Sequence, residues 1–327
     1  MKPDLTCISY AKRSLIRRKY HPKKNPATIQ EEPGAFRTGV PGQPGIFFRI
    51  FAVCWMRLDW CIFGLVINMK KSDPIGVFDS GLGGLSVVHT LQKLLPNENI
   101  IYFGDSARNP YGTRSKEEVR KFSFEIVEQM KKQNVKAIVI ACNTATSAAA
   151  NELRSAYDFD IVGMEPALKP AALMKTPSNI AVWATNLTLH QEKFARLARR
   201  FASDHKIIDV ACSKLVELVE ADQLDQGDKV DAALHDYLEQ SKDAEFIVLG
   251  CTHFLFYKNR LQKLVEPGLQ IVDGNEGTVR HLAALLDAKG LLNTEPGGTL
   301  TIQNSDPSKI ALSWKLLETL EGMESNE

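Results

Sequence analysis

The segment AIVIACNTA at residues 137–145 has a counterpart in FIVLGCTHF at residues 246–254, and this pair decides the predicted fold. Each segment reads as a short buried strand that ends in a cysteine followed by small polar residues. Two further pairs of strand ends repeat at nearly the same distance: GVFDS (76–80) with AVWAT (181–185), and IIYFGDS (100–106) with IIDVACS (207–213). The offset stays between 105 and 109 residues, so the pattern indicates two equivalent halves.

Amphipathic segments lie between these strands. The segment SKEEVRKFSFEIVEQMKKQ at 115–133 has apolar residues at helical spacing, and Ser115 and Glu118 at its start predict a capping box. Strands that alternate with helices predict parallel sheets connected by right-handed crossovers. Ligands bind at the carboxyl ends of the strands in such sheets.

We therefore expect an α/β protein. It has two pseudo-symmetric α/β domains with mainly parallel central sheets and the active site in the cleft between them. The first domain is predicted at residues 72–165 plus about 274–320, where helix-like segments return to it. The second domain is predicted at residues 166–273.

The first 71 residues differ from the rest of the chain. They hold 13 lysines and arginines against 4 acidic residues, whereas the remainder holds 27 against 35. The apolar run at 46–68 is interrupted by Arg49, Arg57 and Asp59, which disfavours a membrane span. We expect residues 1–71 to be a basic and apolar extension outside the fold, with the native start at Met69. A targeting or anchor segment and an ordered element are the alternatives.

Charge and cysteine content exclude several functions. The chain after residue 71 is mildly acidic and has no stripe of basic residues, so it offers no basic surface for nucleic acid. No stable membrane association is expected. The sparse cysteines form no CxxC pair and are interpreted as reduced thiols of a cytoplasmic protein. They are Cys7, Cys54, Cys61, Cys142, Cys212 and Cys251.

Cys142 and Cys251 are the candidate reactive residues. A lone cysteine is usually buried for packing, but the repeat makes these two equivalent and turns both toward the shared cleft. A helix is expected after each, and the N–H groups at its start favour a thiolate and lower the pKa of the thiol. One Cys and His253 lack a tetrahedral ligand set, so no metal is expected.

Three reactions suit two facing thiols. They are a disulfide, a Cys–His nucleophile with a spare cysteine, and two-base proton transfer that inverts a stereocentre. Gly81–Gly84 resembles a phosphate loop only superficially and is interpreted as allowing close backbone approach to a small ligand. Asp105 ends another strand, and the Asn109–Gly112 segment after it is either a plain turn or a cleft wall with Tyr111 as a polar handle.

Four motifs carry a family resemblance. In chain order they are DSGLGGLSV (79–87), NPYGTRS (109–115), ACNTATSAA (141–149) and GCTHF (250–254). Together they resemble the glutamate racemases of the aspartate/glutamate racemase superfamily. The resemblance implies interconversion of L- and D-glutamate without a cofactor or metal, in bacteria for cell-wall peptidoglycan. It leaves a homodimer open.

The resemblance also implies roles for individual residues. Cys142 and Cys251 are the two acid/base catalysts, and Asp79, His253 and Glu220 assist the nearby thiols. The expected substrate-binding residues are Asp79, Ser80, Tyr111, Gly112, Asn143, Thr144, Thr185, Thr252 and His253.

Three positions in the second half depart from the family pattern. They are the turn after Trp183, Ser213 in place of a proline, and Leu255-Phe256 after Phe254. These departures keep two alternatives open. One is a racemase of the same superfamily that acts on aspartate or another amino acid, and the other is a catalytically weak glutamate-binding or regulatory protein.

Overall fold

The computed structural model describes residues 69–324, and every strand pair in this part of the chain is parallel. The expected α/β fold with two mainly parallel sheets is confirmed. The strands are β1 (Ile75–Asp79), β2 (Ile100–Gly104), β3 (Ala137–Ile140), β4 (Asp160–Gly163), β5 (Ser178–Ala184), β6 (His205–Ala211), β7 (Phe246–Leu249), β8 (Gln270–Val272) and β9 (Leu300–Asn304). The extension proposed for residues 1–71 lies outside the described residues except for its last three.

Helices connect the strands. They are α1 (Leu85–Leu94), α2 (Lys116–Lys131), α3 (Asn143–Ala156), α4 (Leu168–Met174), α5 (Asn186–His190), α6 (Glu192–Arg199), α7 (Ser213–Glu220), α8 (Gly227–Gln240), α9 (Lys258–Leu264), α10 (Asn275–Ala288) and α11 (Ile310–Glu324). The predicted capping box at the start of α2 is present, because Oγ of Ser115 accepts the Glu118 N–H and Glu118 accepts the Ser115 N–H.

The two sheets have the same strand order. The first sheet runs β4-β3-β1-β2-β9, and the second runs β8-β7-β5-β6 in the same sense. The pairs that the sequence repeat predicted, β1 with β5, β2 with β6 and β3 with β7, therefore occupy equivalent places. Parallel strands end at one edge of each sheet, so equivalent strand ends supply equivalent positions for functional residues.

The strand β9 has no counterpart in the second sheet. It pairs with β2 along the outer edge of the first sheet, from Leu300 opposite Ile100 to Asn304 opposite Gly104. The helices α10 and α11 pack on α1 of the first half. The chain after residue 274 thus returns to the first sheet, while the predicted domain bounds themselves stay a prediction.

Apolar packing joins the two sheets. The largest buried cluster includes Val77 of the first sheet and Trp183 of the second. The opposite faces of the two sheets are covered separately, around Phe78 and Val182 respectively. Central strands that are buried on both faces explain the nearly continuous apolar runs in the sequence.

A buried ion pair lies in the first half, outside these apolar clusters. Nζ of Lys136 lies 2.5 Å from Oε2 of Glu98, and both side chains are almost fully buried. Lys136 also donates to the main-chain oxygens of Lys71 and Leu291, which satisfies the rest of the ammonium group. A buried pair of this kind keeps both charges compensated.

Within residues 69–324, no helix is both long and apolar enough to span a membrane.

Candidate active site

A cavity of about 430 Å³ lies at the carboxyl ends of the strands of both sheets. Cys142 and Cys251 both line it and are 6% and 8% exposed. Most of the residues expected to bind substrate also line it: Ser80, Tyr111, Gly112, Asn143, Thr144, Thr185, Thr252 and His253. Glu220 lines the cavity as well, whereas Asp79 lies behind it, fully buried.

Cys142 follows β3 and caps the helix α3. Its Sγ accepts a hydrogen bond from the main-chain N–H of Ala145 at 3.4 Å. Burial, together with the nearby Asp79 carboxylate, raises the pKa of Cys142 to about 12 even though this N–H acts in the opposite direction. The N–H at the start of α3 thus lowers the pKa of this thiol as expected, but loss of solvation outweighs it and the net shift is upward.

Cys251 follows β7 and has a different neighbour. A short 3₁₀ turn, Thr252–Tyr257, separates it from α9, and no main-chain N–H caps its side chain. A helix follows this cysteine after small polar residues, as expected, but the 3₁₀ turn keeps the N–H groups at its start away from the sulfur. Instead, Sγ of Cys251 lies 3.6 Å from Nδ1 of His253.

His253 connects Cys251 to a carboxylate. Its Nε2 donates to Oε1 of Glu220 at 2.8 Å, so the imidazole lies between the Cys251 sulfur and a negative charge. Burial alone lowers the pKa of His253, but the hydrogen bonds to Cys251 and Glu220 raise it well above its ordinary value. The imidazole can therefore keep a proton at neutral pH next to the sulfur.

Glu220 is held by the glycine-rich loop after β1. Its Oε1 also accepts the main-chain N–H of Leu82 at 2.7 Å. A Cβ at Gly81 would lie 2.0 Å from Oε1 of Glu220, and one at Gly83 would lie 2.4 Å from Nδ1 of His253. The close backbone approach expected for this loop is thus to the side chains of the opposite half, and only glycine permits it.

Asp79 links the two halves from beneath the cavity. Its Oδ1 accepts the N–H of Gly81 at 3.0 Å, and its Oδ2 accepts the hydroxyl of Thr252 at 3.0 Å. Burial raises the pKa of Asp79, although both bonds and the nearby His253 act in the opposite direction. Thr252 directly follows Cys251, so the first-half carboxylate fixes the main chain next to the second-half cysteine.

Polar side chains on the opposite wall also bridge the halves. Oγ1 of Thr144 lies 3.0 Å from Oγ1 of Thr185 and 3.2 Å from Oγ1 of Thr188. Asn143 is buried, and within the described residues its Oδ1 has no hydrogen-bond partner. A buried acceptor that lines a cavity is suited to a donor on a ligand, such as an amino group.

Comparison with known proteins identifies the family of this chain. The family model described as Asp/Glu/Hydantoin racemase matches residues 75–282, which contain both cysteines and the surrounding motifs. This chain belongs to that racemase family. The predicted resemblance to the aspartate/glutamate racemase superfamily is therefore confirmed.

Individual relatives within the racemase family are similar over most of the chain. The glutamate racemase of Bifidobacterium adolescentis is 51% identical over 245 residues, 73% of this chain and 95% of its own. A crystal structure of a glutamate racemase isoform from Bacillus anthracis has a TM-score of 0.70 at 30% identity, covering 77% of this chain and 95% of its own. One from Francisella tularensis, in complex with D-glutamate, has a TM-score of 0.66 at 30% identity, covering 76% and 94%.

Tyr111 forms part of the cavity wall, as one of the two interpretations of its segment expected. Its hydroxyl donates to the buried carboxylate of Asp105, to which Nε of Arg108 also donates at 2.6 Å. The phenol is therefore tied back into the protein. What Tyr111 offers to the cavity of this racemase-family site is its ring and main chain, not a free hydroxyl.

Several residues that line the cavity were not predicted from the sequence. Asn109 had a signal, because it belongs to a quoted motif, and its Nδ2 donates to the main-chain oxygen of Ser80 at 3.2 Å. Ser213 was noted only as a departure from the family pattern, and no site role was predicted for Val216, Glu217, Ala221 or Lys309. Among the described residues, no three His, Cys, Asp or Glu side chains are grouped as metal ligands, and Cys142, Cys212 and Cys251 are free thiols.

Proposed function

We propose that this protein is a glutamate racemase that interconverts L- and D-glutamate without a cofactor. In this proposal Cys142 and Cys251 act as the two bases. The observation that carries it is that two buried thiols end equivalent strands of two sheets and line one cavity. Relatives named glutamate racemase, at 45% to 51% identity, support glutamate as the substrate.

The proposed reaction needs one thiolate and one thiol at a time. The thiolate removes the proton from Cα on one face, and the thiol gives its proton to the same carbon on the other face. One C–H bond is broken and one is formed, so electrons balance and no oxidant or reductant takes part. After one turnover the two sulfur atoms have exchanged protonation states, and the same pair serves the reverse direction.

The cavity suits a transition state with carbanion character. Such a charge is stabilised by fixed dipoles in a site that excludes water, and both sulfur atoms belong to nearly buried residues. In the proposal, the unpartnered Oδ1 of Asn143 accepts a hydrogen bond from the substrate ammonium group. The other assigned substrate-binding residues are Asp79, Ser80, Tyr111, Gly112, Thr144, Thr185, Thr252 and His253.

Two buried acid–base groups assist the thiols. His253, held by Glu220, can exchange a proton with Cys251 across 3.6 Å. Asp79 acts on the charge of Cys142 through space, while its hydrogen bond goes to Thr252. We assign both groups to adjusting protonation, and only the cysteines to proton transfer at Cα.

The proposed biological role is the supply of D-glutamate for peptidoglycan in the cytoplasm. Its partner is then a small molecule, with no nucleic acid and no stable membrane association. A homodimer stays a prediction, which the mass in solution, measured by light scattering, would test.

The deciding experiment is a racemisation assay on residues 69–327 and on the full chain. Each protein is dialysed against a chelator and given L-glutamate without added cofactor, and the loss of circular dichroism is followed. The expected result is full loss of optical activity. Loss with L-aspartate but not L-glutamate would indicate a different substrate, and glutamate binding without racemisation would indicate a binding or regulatory protein.

A further inference from the structure

Carboxylates surround the cavity that we assign to glutamate. Glu217 and Glu220 line it, and Asp79 lies buried behind Thr252. Glutamate at neutral pH carries two carboxylates and one ammonium group, so its net charge is negative. A cation on the cavity wall would offset the repulsion between substrate and site.

Lys309 occupies such a position. Among the described residues that line the cavity, it is the single lysine or arginine. It ends the turn Pro307–Lys309, which follows β9, and it is half-buried. Its Nζ donates to the main-chain oxygen of Glu220 at 2.6 Å. Because that acceptor is a neutral carbonyl, the bond fixes the ammonium group without cancelling its charge.

We propose that Lys309 is the substrate-binding cation of this cavity. It attracts the dicarboxylate into the site and pairs with one of its carboxylates. The inference rests on the proposed function and adds a residue to it from the last thirty residues of the chain, outside the four motifs.

A purely structural role is the competing explanation. A lysine at the carboxyl end of α7 also stabilises the helix dipole, and it supports Glu220, which contacts His253. That role would act through Glu220 on kcat and on stability. In that role Lys309 does not attract the substrate, so salt has no such attraction to screen. The ratio of KM in the variant to KM in the wild type would then not depend on salt.

The test compares Lys309→Met and Lys309→Arg with Lys315→Met as a matched control. Lys315 also contacts the chain just after α7, since its Nζ lies 2.7 Å from Oδ1 of Asp222, but it does not line the cavity. Racemisation of L-glutamate is followed by circular dichroism at ionic strengths of about 0.02 to 0.5 M. Binding of D-glutamate to the same proteins is measured by isothermal titration calorimetry.

The expected result is an increase in KM that depends on the charge of the side chain at position 309. K309M raises KM about tenfold and changes kcat less than about threefold, as expected for one partly screened charge contact. The ratio of KM in K309M to KM in the wild type shrinks as salt rises, because salt screens an attraction that only the wild type has. K309R stays close to wild type because it keeps the charge, and K315M matches wild type.

Two results would overturn the inference. One is a K309M protein with wild-type KM and wild-type salt dependence, and the other is a loss confined to kcat. If K309M does not fold, Lys309→Gln replaces it, and a wild-type KM with wild-type salt dependence in that variant overturns the inference equally.

Failure of the proposed function would look different, because then the wild-type protein itself does not racemise glutamate. Calorimetry still decides the role of Lys309 in that case. Glutamate binding that weakens with salt and is lost in K309M supports the proposed role of Lys309 as the substrate-binding cation. Binding that is absent, or equal in both proteins, overturns it.

Discussion

Cys142 and Cys251 end equivalent strands, β3 and β7, but different groups surround the two sulfur atoms. The Cys142 sulfur accepts one main-chain N–H, and burial holds the pKa of this thiol at about 12. The Cys251 sulfur lies 3.6 Å from the imidazole of His253, which Glu220 orients. The shared strand order thus puts the two cysteines in equivalent positions, but the groups that surround their sulfur atoms differ.

This difference separates what topology provides from what side chains provide. The repeated sheet brings two cysteines to one cavity, which proton transfer on two faces of a carbon requires. The neighbours then determine how each sulfur gains and loses its proton. Substitutions in one half should therefore disturb one sulfur and leave the other intact.

The largest effect is expected from the cysteines themselves. Cys142→Ser and Cys251→Ser should each lower kcat at least about 1,000-fold, because a serine hydroxyl is a far weaker acid than a thiol. Initial rates are measured by circular dichroism from both L- and D-glutamate. Enantiomers have an equilibrium constant of unity, so kcat/KM must fall equally in both directions.

Cys212→Ala is the matched control for these variants. Cys212 is also a buried free thiol at a strand end, but it does not line the cavity. Its kcat should stay within about threefold of wild type. Near-normal turnover in either serine variant would exclude the two-base mechanism.

A smaller loss is expected for His253→Asn, which removes the imidazole from the Cys251 half alone. The kcat should fall about 100-fold, a typical contribution of a positioned acid or base. Mass spectrometry after brief iodoacetamide treatment should show slower alkylation of Cys251 and unchanged alkylation of Cys142. His235→Asn on the exposed face of α8 serves as the control.

Equal changes at both sulfur atoms in His253→Asn would contradict the comparison. Such a result would mean that the imidazole acts on the cavity as a whole and not on one half.

Glu220→Gln should move the pH dependence and lower kcat about tenfold at mildly alkaline pH. The wild-type contacts raise the pKa of His253, so the imidazolium persists through neutral pH and is lost only as pH rises further. Removing the carboxylate charge lowers that pKa. The alkaline limb of kcat/KM should therefore move to lower pH by about 1 to 3 units.

The matched control is Glu239→Gln, which removes an exposed carboxylate paired with Lys242. Its pH profile should coincide with that of the wild type. An alkaline limb that stays in place in Glu220→Gln would show that Glu220 does not set the protonation of His253.

The smallest effect concerns the scaffold of the Cys142 half. Ser115→Ala breaks the capping box of α2, the helix that follows the cavity wall at Tyr111. The free energy of unfolding, measured in urea, should fall by about 1 kcal/mol with kcat unchanged. Ser155→Ala, at an exposed position near the end of α3, should change stability by less than about 0.5 kcal/mol. A large loss of kcat in Ser115→Ala would mean that the two halves differ in rigidity as well as in chemistry.

The parts of the site that the sequence predicted are those that lie at strand ends. Parallel strands bring their carboxyl ends together, so Asp79, Cys142 and Cys251 could be placed in one region from the repeat alone. Glu220 needed the family resemblance, because its contact with His253 joins residues 33 positions apart on different elements.

The parts that could not be predicted depend on long-range packing. Burial of the Cys142 thiol, with the Asp79 carboxylate nearby, raises its pKa and outweighs the helix N–H, whose downward effect the sequence did predict. The return of the chain after residue 274 was predicted, but no motif marked the strand β9 or the position of Lys309 at the cavity. Burial and contacts between segments that are far apart in the sequence leave no motif in either segment.

The pairing of β9 with β2 also determines when the first sheet can be completed during translation. Residues 75–163 supply four of its strands, but the fifth begins only at Leu300. Until then the nascent chain carries an unpaired apolar strand edge at Ile100–Gly104, which can pair with other chains. A chain that ends between residues 252 and 299 would therefore be aggregation-prone, although it already contains both cysteines.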